Sequence, residues 1–134
     1  MEQTKTIFML CLFSVFLTVY GQEKQIIIVD PGHGGTDSGA IGINGLKEKD
    51  LTLKIAQAII HYNRTLLDQR YDIYSTRYED TLISLGHRTK LAKLLSPKIF
   101  VSLHCNHAEN PKAAGLEVYV FNGPTQKKIL TKAK

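Results

Sequence analysis

The run Ile26-Ile27-Ile28-Val29, ended by Asp30-Pro31-Gly32, constrains this chain more than any other feature. Consecutive β-branched residues without polar alternation make a strand that is apolar on both sides, as in a sheet whose two faces are covered. The segments that follow supply the covers. Leu51, Ile55, Ile59 and Tyr62 fall at helical spacing and predict an amphipathic helix over residues 50–63, starting just after Glu48. Residues 71–75 read as a second strand. Ser84 can cap a helix through Leu85, Leu91, Ala92 and Leu95, which Pro97 keeps from continuing. Residues 99–103 (IFVSL) read as a third buried strand. Leu116, Val118 and Val120 alternate with Glu117, Tyr119 and Phe121 in a fourth, and the tail over 125–134 reads as the beginning of a helix. Strands alternating with helices imply an α/β fold, with a mostly parallel central sheet flanked by helices in three layers. The sheet is expected to be incomplete at its C-terminal edge.

Composition agrees with one modest domain. The 134 residues are 43% hydrophobic and 22% charged, with ten Gly and two Cys, which excludes a disordered chain, a collagen-like fibre and a disulfide-stapled mini-protein. The formal charge of +5 suits an anionic partner without choosing between nucleic acid, membrane surface and acidic polymer.

The first segment reads as an address. Lys5 precedes an apolar run over residues 7–20, and Val19-Tyr20-Gly21 offers small residues where cleavage needs them, so residues 1–21 are a predicted signal peptide and 22–134 the mature domain. A membrane span needs about 20 apolar residues, which disfavours a permanent anchor. Cys11 sits inside the run, which does not fit lipid attachment. Removing the leader leaves Cys105 as the one cysteine, so no internal disulfide can form and the fold must rest on its core or on a metal.

Open α/β sheets place their sites at the carboxyl edge. His33 follows the first strand, His104 closes the third, and Glu48 lies where the loop feeds the first helix. Two neutral imidazoles and a carboxylate are a usual protein set for catalytic zinc, with a fourth position left for water. Asp30 and Asn106 are candidates to orient a ligand imidazole or to meet substrate. Other readings stand beside this one. Gly32-His33-Gly34-Gly35 lacks the third glycine of a dinucleotide turn and any Gly-Lys-Ser/Thr ending, which disfavours phosphate binding. A single histidine at a strand end is commonly structural. His61, His87 and His107 are read as solvent-facing or structural, with His107 a possible substrate contact, and Cys105 as a buried, inert thiol.

Five segments together carry a more specific resemblance: Asp30-Pro31-Gly32-His33-Gly34-Gly35, Asp37-Ser38-Gly39-Ala40, Glu48-Lys49-Asp50-Leu51-Thr52-Leu53, Ser102-Leu103-His104-Cys105-Asn106 and Gly115-Leu116-Glu117-Val118-Tyr119. Their order and spacing resemble the zinc-dependent N-acetylmuramoyl-L-alanine amidases, in particular the AmiC/CwlV-type catalytic domain, over about residues 26–121. The resemblance implies cleavage of the amide between the lactyl group of N-acetylmuramic acid and the L-alanine of the peptidoglycan stem peptide, in wall turnover or cell separation. It implies Zn2+ held by His33, Glu48 and His104, peptidoglycan as partner rather than nucleic acid, and a periplasmic or wall-associated location. The family's general-base glutamate lies on a late strand, and its counterpart is expected beyond Lys134. Glu117 and Glu109 are weaker candidates for that role. A fragment of a longer amidase, an inactive zinc-containing wall-binding protein and a zinc hydrolase of another amide or ester are the readings this leaves.

Overall fold

β1 (Ile26–Pro31) is the central strand of a three-stranded parallel sheet, with β2 (Asp72–Ser75) on one side and β3 (Ile99–Leu103) on the other. The registers place Ile28 between Tyr74 and Phe100. In this computed structural model the described residues are 3, 5, 23–106, 114–122 and 125–131, those of 122 and 125–131 as backbone only. The expected signal peptide lies outside them, Gln3 and Lys5 excepted.

Helix α1 (Glu48–Thr65) joins β1 to β2, and α2 (Leu85–Leu95) joins β2 to β3. Because β2 and β3 flank β1 on opposite sides, right-handed crossovers carry the two helices to opposite faces of the sheet. The result is the layered α/β fold expected from the alternation of segments. Ser84 caps α2 as anticipated, its side chain accepting from the His87 backbone N–H at 3.3 Å. The centre of the core is small: Ile28 and Val29 are 0% and 1% exposed, and Ala56 of α1 is buried with them.

The inward face of α1 differs from the expected one. Thr52, Ala56 and Asn63 turn inward, whereas Ile55 and Tyr62 are exposed. The small Ala56 and Thr52 let the helix lie close to the strand, and the buried polar groups have partners. Thr52 Oγ1 donates to the Gly32 carbonyl at 3.1 Å. Asn63 closes the turn into β2, donating to the Tyr71 carbonyl at 2.8 Å and accepting from its N–H at 3.2 Å. Apolar periodicity cannot register a face made of satisfied polar side chains.

Two further expectations are corrected. β3 has the predicted bounds, yet it is not buried: Ile99 is 49% exposed, and Phe100 and Val101 are exposed too. β3 is an edge strand among the described residues, and the helices centre their packing on β1. Residues 105–134 form a separate unit. There β4 (Leu116–Asn122) pairs antiparallel with β5 (Thr125–Thr131), from Leu116↔Thr131 to Asn122↔Thr125. The tail expected to begin a helix is therefore a strand. Pairing with β4 decides the conformation of residues 125–131, and a partner strand is a signal that local helical patterning does not carry.

Candidate metal centre

The loop from β1 to α1 builds the site by turning back on itself. Gly34 and Asp37 exchange backbone hydrogen bonds of 2.9 and 3.1 Å, which closes a tight turn directly after His33. Residues 38–40 then serve the start of α1: Glu48 N–H donates to the Ala40 carbonyl at 2.8 Å, and Lys49 N–H to that of Ser38 at 3.1 Å. These carbonyls take up donors that the first helical turn leaves without intrahelical partners. Glu48 and Asp50 lie in that first turn, where negative charge suits the helix dipole. Glu48 is thus delivered, buried, beside the loop that carries His33.

His104 arrives from β3, whose end is tied to the same loop by Gly32 N–H donating to the Leu103 carbonyl at 2.9 Å. His33 Nε2 lies 3.2 Å from Glu48 Oε2, and His104 Nδ1 lies 3.0 Å from Glu48 Oε1. The imidazoles meet edge to face with centroids 5.1 Å apart. One ligand atom from each of His33, Glu48 and His104 falls within 4.8 Å of the others. Glu48 forms the buried floor, and the half-exposed His104 ring marks the open side.

Close approach explains two glycines. A Cβ on Gly39, whose φ is +63°, would sit 2.6 Å from Glu48 Oε2 and from His33 Cδ2; one on Gly32 would sit 2.5 Å from His104 Cε1. Only residues without side chains leave room for the three ligands to converge.

The donor chemistry fits a cation. His33 Nδ1 lies 2.9 Å from Asp37 Oδ2 while its Nε2 faces Glu48, so both ring nitrogens face carboxylates. A neutral imidazole has one N–H and cannot donate to both. A metal ion between Nε2 and Glu48 removes that conflict and leaves Nδ1–H to Asp37, the usual carboxylate–histidine–metal arrangement. Tetrahedral zinc with bonds of about 2.0–2.1 Å sets neighbouring ligand atoms about 3.3 Å apart, and each imidazole lies at 3.2 or 3.0 Å from one Glu48 oxygen. Asp37 responds to the same contact: its hydrogen bond with His33, and then that from Gly39 N–H, hold its pKa below the ordinary carboxylate value. Glu48 Oε2 also accepts from Ala40 N–H at 2.9 Å, which fixes the carboxylate in the loop.

The three predicted ligands therefore come together, and Asp30 and Asn106, expected to orient an imidazole or to meet substrate, make the following contacts. Asp30 accepts from Thr76 Oγ1 at 2.6 Å, Arg88 Nη1 at 2.5 Å and Ser102 Oγ at 2.9 Å, rather than from an imidazole. Asn106 donates to Glu117 Oε2 at 2.7 Å within the second unit, where Tyr119 donates to the same oxygen at 3.0 Å. His61 and His87 are exposed, and Cys105 is half-buried rather than buried. His107 and Glu109 lie outside the described residues. Sequence reasoning missed Asp37 as the partner of His33, although its position in the Gly-rich turn was a usable signal. It also missed two buried arginines, Arg77 and Arg88, for which apolar patterning offers no signal at all.

A His-Glu-His group at the carboxyl edge of a parallel sheet defines an α/β domain with side chains placed so that they could hold a metal ion. The family model described as N-acetylmuramoyl-L-alanine amidase matches residues 27–134, and the chain belongs to that family. AmiA of Escherichia coli (strain K12) is 40% identical over 99 residues, covering 74% of this chain and 33% of the relative. The sporulation-specific N-acetylmuramoyl-L-alanine amidase of Bacillus subtilis (strain 168) is 42% identical over 98 residues, covering 71% and 35%. The chain thus spans about a third of the length of these curated relatives. Among solved structures, the catalytic domain of the amidase CwlV from Bacillus (Paenibacillus) polymyxa var. colistinus superposes with a TM-score of 0.62 at 32% identity, over 68% of this chain and 50% of that one. An N-acetylmuramoyl-L-alanine amidase from Clostridium difficile 630 gives 0.64 at 32% identity, over 78% and 55%.

Proposed function

We propose that this chain carries the zinc-binding part of a peptidoglycan amidase, which hydrolyses the amide joining the lactyl group of N-acetylmuramic acid to the first L-alanine of the stem peptide. The observation that carries this reading is the convergence of His33, Glu48 and His104 on one point, in a chain of the amidase family. Zinc held by these three residues supplies Lewis acidity toward the amide carbonyl and a lowered pKa for water.

The chain's own residues prepare that site. Asp37 accepts a hydrogen bond from His33 Nδ1–H and leaves the Nε2 lone pair facing the Glu48 side of the site. Ala40 N–H and the buried start of α1 hold the Glu48 carboxylate in place. The half-exposed His104 ring leaves one side open to a polymeric substrate. The net charge of +5 suits an anionic wall polymer. The apolar run over residues 7–20 supports export to the periplasm or the wall. Among the described residues no helix is long and apolar enough to cross a membrane.

The test joins metal content to product. Elemental analysis should find zinc in the native chain and in His61→Ala, and none in His104→Ala; equal zinc in the two variants would overturn the ligand assignment. Incubation of the full-length gene product with purified peptidoglycan should release new L-alanine amino termini, read by amine labelling. Zinc retention without such release would favour the wall-binding reading.

A further inference from the structure

Below the three ligands lie two arginines that are almost entirely withdrawn from water. Arg77 and Arg88 are 3% and 6% exposed. Arg88 pairs with the buried Asp30; Arg77 has no carboxylate among its hydrogen-bond partners and spends its donors on backbone and hydroxyl oxygens. Burial, with Arg88 close by, lowers the pKa of Arg77, and a guanidinium nevertheless keeps its proton. Charged groups in such a place are costly unless nearly every donor is met.

The oxygens they meet follow one another along the chain. Pro31 carbonyl accepts from Arg88 Nη1 at 2.8 Å and from Arg77 Nε at 3.1 Å. Gly32 carbonyl accepts from Arg77 Nη2 at 2.9 Å, and His33 carbonyl from Arg88 Nη2 at 2.9 Å. The same Arg77 Nη2 reaches the Lys49 carbonyl at 2.8 Å and Thr52 Oγ1 at 3.3 Å. Three successive carbonyls ending at His33 are thereby fixed, and they are cross-linked to the turn of α1 that presents Glu48.

The backbone at His33 needs such a restraint. Its φ is +59°, in the left-handed region that a non-glycine residue occupies only when its surroundings hold it there. The Asp37 side chain fixes the ring, and Gly34 N–H holds one side of the following peptide by donating to the Asp37 carbonyl at 2.9 Å. Arg88 holds the peptide on the other side.

We propose that Arg77 and Arg88 are positioning residues of the metal centre: the Arg88 fork holds His33 in its left-handed conformation, and Arg77 sets the spacing between the His33 loop and Glu48. This rests on the metal reading above. A lysine keeps the charge but cannot reach two carbonyls and a carboxylate from one planar group. Charge conservation therefore should not rescue the site.

The experiment measures metal affinity rather than turnover. The full chain, stripped of metal, is titrated with Zn2+ against a chromophoric chelator, and with Co2+ to read the ligand-field spectrum. Arg88→Lys should bind Zn2+ at least about tenfold more weakly than the native chain, with a Co2+ spectrum of altered intensity, the range typical for lost outer-shell support. Ile28→Val, which loosens the same strand without touching these hydrogen bonds, should keep the native affinity and spectrum. If Arg88→Lys does not fold, Thr52→Val decides: it preserves side-chain shape while removing the hydroxyl between Gly32, Lys49 and Arg77, and should also weaken Zn2+. Native affinity and spectrum in Arg88→Lys, or in Thr52→Val where that variant decides, would overturn the positioning role alone. Failure of the native chain to bind either ion would overturn the metal reading and this one with it.

Discussion

β1 and β3 are neighbours in one parallel sheet, each apolar in sequence and each delivering a histidine to the same point, yet they are held in different ways. β1 is buried through Pro31, and its polar end is enclosed by Asp30, Arg77, Arg88 and Thr52. β3 leaves Ile99, Phe100 and Val101 exposed, and beyond its ladder with β1 its end is tied by the Leu103 carbonyl to Gly32 N–H and by Ser102 Oγ to Asp30. The difference teaches that the site is anchored from one strand. His33 and Glu48 belong to a buried polar frame, and His104 is registered against it.

The sharpest way to break this comparison is to remove the centre of the frame. Asp30→Ala deletes the acceptor shared by Arg88, Thr76 and Ser102 and leaves a buried guanidinium without its counter-ion. Loss of one partner of a buried pair costs about 3–5 kcal/mol. Urea unfolding followed by circular dichroism should show a loss of that order. A loss below about 1 kcal/mol, the value of an exposed pair, would mean that the frame is dispensable.

The next largest effect compares the two strands directly. Ile28→Ala should cost about 2–5 kcal/mol, because it opens a cavity in the covered centre of the sheet. Ile99→Ala, made on a half-exposed neighbour, should cost less than about 1 kcal/mol. Equal losses in the same unfolding assay would show that β3 is covered in the folded protein, and the contrast between the strands would disappear.

The legibility of these two strands in the sequence follows the same division. The runs IIIV and IFVSL located both strands, because β-branched clusters bounded by turn residues register in any window. They did not tell which one the helices would cover, since coverage depends on sheet order and not on the strand itself. The candidate ligands His33, Glu48 and His104 were legible because the strand-end rule and the family motifs pointed to them independently. The partner of His33, Asp37, lay in the Gly-rich turn, whereas Asp30 and Asn106 were the residues proposed to orient an imidazole; Asp30 instead accepts from Arg88, Thr76 and Ser102. Arg77, Arg88 and Asn63 were invisible for a physical reason: a buried polar residue is defined by the partners that satisfy it, and those partners are distant in sequence. Residues 125–131, which pair as β5, were misread because short polar-apolar segments carry little periodicity and the partner strand decides their conformation.

The smallest expected effect lies on the outer side of the same loop, where the half-exposed Asp80 meets Lys49. Lys49 Nζ donates to Asp80 Oδ2 at 2.6 Å and to the Gly35 carbonyl at 2.8 Å, while Gly35 N–H donates to Asp80 Oδ1 at 2.7 Å. The Lys49 bond first, and the Gly35 bond second, hold the Asp80 pKa below its ordinary value of 3.8. A carboxylate with a lowered folded-state pKa stabilises fully above its unfolded value, and that contribution fades as pH falls through the folded value. Asp80→Asn should therefore lower the urea midpoint by a constant amount above about pH 5, with the gap to the native chain narrowing below about pH 4. Because Asp37 also has a lowered pKa and titrates in both chains, only the difference between them reports on Asp80. Asp80 is half-exposed and solvent screens its charge, so the gap should be much smaller than that caused by Asp30→Ala. A gap as large as that of Asp30→Ala, or one that widens in acid, would place the anchor of the loop on its outer side and reverse the order argued for the buried frame.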